Sequence, residues 1–251
     1  MLAAARENII ETYFGLAATL KEATIGETDA FRYAMGSLPL TLCNFAIDLK
    51  FSLDPVERSQ QLRKLHHISS GKRALRVFAL SGDAPANSFE VMRGGGFRRS
   101  GRLALMATRG VNYDPIAVQP AGSAVERTEV AAFMVQNFFV RRETALRERI
   151  VRCTADSPHE LMGYWHGHHL MGAMMVSRTA LSVGVYNLCV APRQRRKRLG
   201  RMLLAAAGAL AEAEGKVLTL QSDRELAGWY ELLGFESCGE AETFAPIGEI
   251  V

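Results

Sequence analysis

Residues 183–215 constrain this chain more than any other stretch, because they join an alternating apolar segment, a basic loop and a long apolar-faced pattern without interruption. Leu199, Met202, Leu203, Ala206, Ala207 and Leu210 recur at spacings of three and four, the signature of a helix with one apolar face. Gly215 is a natural stop, so the helix runs about 16 residues, roughly 24 Å. Ahead of it, Val183 and Val185 alternate in one phase and Leu188 and Val190 in the other. The phase slips between Tyr186 and Asn187, which predicts a β-bulge in a strand; a strand buried on both faces would blur the same pattern. The loop between strand and helix is the densest basic cluster of the chain, Arg193 to Arg201. A helix N-terminus offers unpaired N–H groups and a partial positive charge, so a loop feeding it is a natural phosphate site. Arg195, Arg196, Lys197, Arg198 and Arg201 oppose the helix dipole there, and an anionic ligand offsets that conflict. A solvated basic turn is the alternative reading of the same residues.

The surrounding pattern extends this unit into a layered fold. Val217–Gln221 reads as a strand, Asp223 as the cap of a helix over 224–233, and Gly234-Phe235 as its stop and the start of another strand. Upstream, 159–166 and 169–177 read as strands joined at Gly167, preceded by helical stretches 125–140 and 143–154. From Ile116 the order is strand, helix, helix, three strands, helix, strand, helix, strand, which implies an α/β or α+β fold around one mixed sheet. The first half carries further strand and helix patterns at 41–51, 55–68 and 73–81, and the turn-rich Gly110–Pro115 divides the halves, giving domains 1–112 and 113–251.

Composition narrows the function classes. Hydrophobic residues make up 48% and charged residues 22% of the chain, enough for a normal core. No apolar run approaches the roughly 18 residues of a membrane span. Glu7, Glu11 and Glu22 interrupt the opening segment, which reads as an amphipathic helix and not as a signal peptide. Cys43, Cys153, Cys189 and Cys238 are scattered with no ligand spacing, so neither a zinc site nor a disulfide framework is expected, and free thiols in the cytoplasm are the simplest reading. A net charge of +4 and the lack of aromatics in Arg193–Arg201 argue against a nucleic-acid surface.

A second unit, Trp229-Tyr230-Glu231-Leu232-Leu233-Gly234-Phe235, places a tyrosine one turn before the helix stop. Alone it reads as core packing, yet a phenol can also protonate a leaving thiolate. The two units in this order, Val190-Ala191-Pro192 with Arg195, Leu199 and Gly200, then Tyr230 and Gly234-Phe235, resemble the GNAT superfamily of N-acetyltransferases over roughly 116–245. The resemblance implies a mixed central sheet with splayed strands flanked by helices, and acetyl-CoA as acyl donor with no metal. It implies that the backbone of Leu188, Cys189 and Val190 pairs with the pantetheine arm. Amides from Arg195, Arg196, Lys197, Arg198, Leu199, Gly200 and Arg201 then hold the pyrophosphate, Asp223 contacts the CoA arm, and Tyr230 is the general acid for transfer to a primary amine. Arg198 departs from the pattern, since the family usually has Gly there. The general base is not legible: Tyr186 and Asn187 at the bulge are poor bases, and His166, His168 and His169 lie at a turn. A non-catalytic acyl-CoA-binding module on the same fold is the alternative. The acceptor stays open between small amine, amino acid, antibiotic and protein.

Residues 81–97 echo 222–235, both running from a polar cap through a short helix to Gly-Phe, with Met92 opposite Tyr230. The first half thus reads as a partial GNAT-like copy lacking the basic loop and the acid, and as the part that covers the active half and shapes its acceptor pocket.

Overall fold

The computed structural model describes residues 1–69 and 75–247. Part of the expected 73–81 element, residues 73 and 74, therefore lies outside the described residues. From the N-terminus the elements are α1 (Leu2–Ala17), β1 (Thr24–Glu27), β2 (Arg32–Met35), β3 (Asn44–Ile47), α2 (Pro55–Ser69), β4 (Arg76–Leu80), α3 (Ser88–Gly94) and β5 (Phe97–Thr108). The second half follows with β6 (Gln119–Pro120), α4 (Ala124–Phe138), α5 (Thr144–Ala155), β7 (Glu160–His166), β8 (His169–Arg178), β9 (Ser182–Val190), α6 (Leu199–Ala213), β10 (Val217–Ser222), α7 (Arg224–Glu231) and β11 (Glu236–Pro246). This second-half order is the one the sequence predicts. Local chemistry sets the boundaries. Ser123 and Glu126 form a reciprocal capping box at the start of α4. Gly167, Gly215 and Gly234 take positive φ at the three expected stops.

The described residues build one mixed sheet in the order β1-β2-β3-β4-β11-β5-β10-β9-β8-β7-β6. Each half sends its last strand into the other. β11 lies between β4 and β5, while β5 pairs with β10 from Leu218↔Thr108 to Ser222↔Ala104. The halves are also built alike. β3 and β4 pair in parallel, as do β9 and β10, and each pair leads through a short helix to Gly-Phe. Helices cover both faces. α6 and α7 pack on Met174, Val176, Val183, Val185, Leu218 and Leu220, whereas α4, α5 and the end of α1 pack on the opposite face through Ala173, Met175 and Cys189.

α1 departs from the expected amphipathic helix. Ala4, Ala5, Ile9, Ile10, Tyr13, Phe14, Leu16 and Ala17 are buried, and so are the polar Asn8 and Thr12. The reason is position: α1 touches β5, β11 and β2 on one side and β8, β9 and β10 on the other, so both halves of the sheet cover it. All four cysteines are free thiols.

Candidate active site

β9 and β10 pair only over Val217↔Ser182, Leu218↔Val183 and Thr219↔Gly184. Beyond that point the strands part, leaving Val185–Val190 and Leu220–Ser222 on the two sides of a wedge. The bulge falls where the sequence places it. β8 pairs Ala173 with Cys189 and Met175 with Tyr186, so Met174 faces both Asn187 and Leu188, and Asn187 takes φ 51°. The extra residue inverts the strand's facing. Val183 and Val185 join the α6 core, and after the bulge it is Leu188 that does so, while Cys189 turns to α4. Burial there pushes the Cys189 thiol up to about 12.

Past β9, the loop runs over the N-terminus of α6. Arg196 and Arg198 both sit in the left-handed region, at φ 63° and 66°, and alternation of this kind turns successive N–H groups toward one side. Among the described residues, the N–H groups of Arg196, Lys197, Arg198, Leu199 and Gly200 have no hydrogen-bond partner, and no side chain caps α6. Arg198 thus keeps the conformation that glycine adopts most cheaply. No carboxylate among the described residues pairs with the arginines or lysine of 193–201. Arg195 is held by the protein, donating from Nε to the Val190 carbonyl (3.3 Å) and from Nη2 to Asn137 Oδ1 (2.9 Å). A cavity of about 500 Å³ opens here, lined by Val190, Arg195, Arg196, Arg198, Leu199, Gly200 and Arg201, with Gln194 and Trp229. Lys197 stands apart from it, bonded to Gln194 Oε1 at 3.2 Å.

A second cavity of about 330 Å³ fills the wedge. Leu188, Asp223 and Tyr230 line it, together with Leu226 of α7. Tyr230 packs edge-on against Trp229 (4.8 Å) and Phe235 (5.7 Å). Burial, and secondarily the Asp223 carboxylate, raise its pKa above the ordinary tyrosine value, so the phenol holds its proton. Asp223 occupies the N-cap position of α7, but its side chain makes no capping bond, which corrects that part of the sequence reading. α7 also ends at Glu231, short of the expected Leu233, because Leu232 to Gly234 turn out of the helix.

Residues 123–247 match the family model described as the acetyltransferase (GNAT) domain. The C-terminal half is a GNAT acetyltransferase domain. Acyl-CoA-dependent acetyl transfer is accordingly the general chemistry of this domain's family. The fold of the whole chain is similar to that of a GCN5-related N-acetyltransferase from Kribbella flavida, with TM-score 0.70 and 16% identity over 99% of this chain and 97% of that one. It is similar to a tandem GNAT protein from the clavulanic acid biosynthesis pathway, with TM-score 0.64 and 14% identity over 99% and 98%. An acetyltransferase of the GNAT family from Colwellia psychrerythraea gives TM-score 0.57 and 14% identity over 98% and 97%. At such identities the likeness is one of fold, and it extends through the N-terminal half, which is GNAT-like as its repeat implied. No curated protein matches the chain by sequence.

The GNAT domain does not build the wedge alone. Thr12, Tyr13 and Leu16 of α1 and Leu103 of β5 line it from the first half. Asn8 accepts from the Tyr186 hydroxyl (2.9 Å) and donates to the Ser177 carbonyl (3.1 Å), while Gln221 donates to Tyr186 across the wedge (3.0 Å). This network ties α1, β9 and β10 at the point where the strands separate. Sequence reasoning missed these first-half residues. The available signal was Asn8 and Thr12, one turn apart on the face that also carries Ala5, Ile9 and Leu16, which marks a buried polar contact. His166, His168 and His169 are exposed at the β7–β8 turn, and none of them lines the wedge cavity. Among the described residues, no cluster of His, Cys, Asp or Glu could hold a metal ion, and no helix is long and apolar enough to cross a membrane.

Proposed function

We propose that the protein is an N-acetyltransferase that passes the acetyl group of acetyl-CoA to a primary amine by direct attack, in the cytoplasm. In this reading, residues 113–251 carry the catalytic machinery and 1–112 form a supporting domain. The observation that carries it is the placement of two features at opposite ends of the bulged half of β9. At one end is the run of unpartnered amides from Arg196 to Gly200; at the other is the half-buried Tyr230, which with Leu188 lines the wedge. The amides and the guanidinium groups around them suit a pyrophosphate. The edge of Leu188–Val190 that faces the wedge is free to pair with an extended pantetheine arm, with Asp223 at the rim to meet an arm amide.

The chemistry then balances with residues in place. The neutral amine attacks the thioester carbonyl, a C–N bond forms and the C–S bond breaks. Tyr230 gives its proton to the departing thiolate. The product nitrogen sheds its extra proton to solvent, and solvent reprotonates Tyr230. The first test is thermal unfolding with acetyl-CoA. A ligand at 100 times its Kd stabilises the fold by about 2.7 kcal/mol, which in a chain of this size raises Tm by roughly 5–10 °C. No shift with acetyl-CoA or CoA at millimolar concentration overturns the proposal. A non-catalytic acyl-CoA-binding module is the second reading, favoured by one observation: no His or Glu lines the wedge to serve as base. Release of CoA thiol with any member of an amine panel decides against it.

A further inference from the structure

The wedge cavity also carries information about the acceptor, on the assumption that the acetyltransferase reading holds. Its charge is one-sided. Among the described residues, Asp223, exposed at the α7 end, is the sole carboxylate that lines the cavity, and no Lys or Arg does. A carboxylate-bearing acceptor finds no cation there, and a second ammonium finds no deep anion; an unpaired buried charge is costly. The far side of the wedge is closed by α1. Gly184 allows that close approach, since a Cβ at this position would lie 1.8 Å from Asn8 Oδ1. A peptide has no open groove across β9 and β10 on that face.

One polar group inside remains unexplained. Tyr13 is 8% exposed and lines the cavity, yet its hydroxyl has no hydrogen-bond partner among the described residues. Its neighbours are satisfied: Tyr186 by Asn8 and Gln221, Thr12 by Ser177 at 2.7 Å. The Tyr13 ring is fixed by Phe45 (5.5 Å) and Phe78 (5.0 Å), so the hydroxyl is held in place. The hydroxyl is therefore a polar group that opens onto the cavity with its ring buried behind it, placed to meet a molecule bound there.

We infer that the acceptor is a small, largely apolar primary amine carrying one uncharged hydrogen-bonding group, and that the Tyr13 hydroxyl is the group that recognises it. Burial pushes the Tyr13 phenol up to about 12, so it offers both a donor and an acceptor throughout the working range.

The test uses the full chain, with CoA thiol release followed at saturating acetyl-CoA. The probes are 5-amino-1-pentanol and tyramine against L-glutamate, spermidine and a lysine-containing pentapeptide. The uncharged-bodied amines are expected to exceed the others in kcat/KM by at least about tenfold. Tyr13→Phe is expected to raise KM for the best amine about 5- to 10-fold. The KM for acetyl-CoA stays within about twofold, and Tm is unchanged or higher because an unpartnered hydroxyl has been removed. A fastest acceptor among glutamate, spermidine or the peptide overturns the inference. So does an unchanged amine KM in Tyr13→Phe, or a fall in Tm with both KM values rising together. If acetyl-CoA raises Tm while only charged acceptors turn over, this inference alone fails. If acetyl-CoA raises Tm and no amine turns over, catalysis and acceptor both fall and the binding module stands. Without any acetyl-CoA shift, the acetyltransferase reading itself is lost.

Discussion

Gly184 is the position at which the two halves of the chain press closest, and enlarging it tests whether α1 belongs to the active site. A methyl group there meets Asn8 Oδ1 at 1.8 Å, Cγ at 2.5 Å and Nδ2 at 2.9 Å, all from one side chain. Asn8 is fully buried and cannot swing to solvent, so Gly184→Ala displaces it and its bonds to Tyr186 and Ser177 with it. Overpacking a tight site costs about 1–3 kcal/mol, and each lost hydrogen bond adds about 1 kcal/mol. The sum is roughly 3–5 kcal/mol, a fall in Tm of about 6–15 °C. Asn8→Ala removes all three clashing atoms, so the double variant should be no less stable than Asn8→Ala alone. The coupling energy then equals the cost of Gly184→Ala alone, about 3 kcal/mol or more, at or above the top of the range for contacting residues. Urea unfolding of the four proteins, with m unchanged across them, measures it. A Gly184→Ala protein within about 2 °C of the parent, or a strictly additive cycle, refutes the packing of α1 against β9.

The other predictions concern the reaction. Tyr230→Phe should lower kcat by about 10²- to 10³-fold while leaving acetyl-CoA affinity within about twofold, and equal losses would make Tyr230 a packing residue. Because its pKa is raised, Tyr230 stays a proton donor as the amine deprotonates. The parent's kcat/KM should therefore climb with pH and fall only beyond the ordinary tyrosine range, a falling limb that the Phe variant lacks. Arg198→Gly relieves a left-handed residue but frees the unfolded chain, so Tm should move by less than about 3 °C. Loss of its charge from the loop cavity should weaken acetyl-CoA about fivefold at low salt and less at high salt; tighter binding would show that Arg198 obstructs the site.

The second half was legible because its signals are local. Apolar residues spaced three and four apart in α6, the phase slip at Asn187 and the glycine stops are each written within about a dozen residues. β5 was not legible, for a physical reason. Its first half, with Arg98, Arg99, Ser100 and Arg102, looks too polar for the middle of a sheet. Arg99 and Arg102 are matched across the exchanged strand, where Glu242, 2% exposed, takes Arg99 at 3.0 Å and Arg102 at 3.8 Å. The first-half wall of the wedge was hidden in the same way. Tyr13 and Tyr186 meet through folding of segments more than half the chain apart, and no local period reports that. The loop residues were found from sequence, but the reason Arg198 is tolerated needed the backbone: φ 66° shows that the departure from glycine changes the side chain and leaves the turn intact.

The two halves differ at the points where chemistry would act, and those differences explain what each retains. α2 follows β3 as α6 follows β9, but Asp54 places its own carboxylate on the N–H groups of Val56 (2.9 Å) and Glu57 (2.8 Å). An anion already sits where a phosphate would have to bind. Asp48 takes φ 61° after β3, as Asn187 takes φ 51° in β9. There Arg6 of α1 bridges Asp48 (3.3 Å) and Asp83 (2.6 Å), filling the position with ion pairs. Met92, fully buried, stands in for Tyr230. Among the described residues, the first half therefore repeats neither the open helix N-terminus of α6 nor Tyr230. Its β5 nonetheless supplies β10 with a partner it would otherwise lack on that side, and β10 is one wall of the wedge. Its α1 uses Arg6 to close its own half and Asn8, Thr12 and Tyr13 to complete the other. One helix thus closes the first half and completes the wedge of the second, through residues 170 or so positions away from the bulge they face.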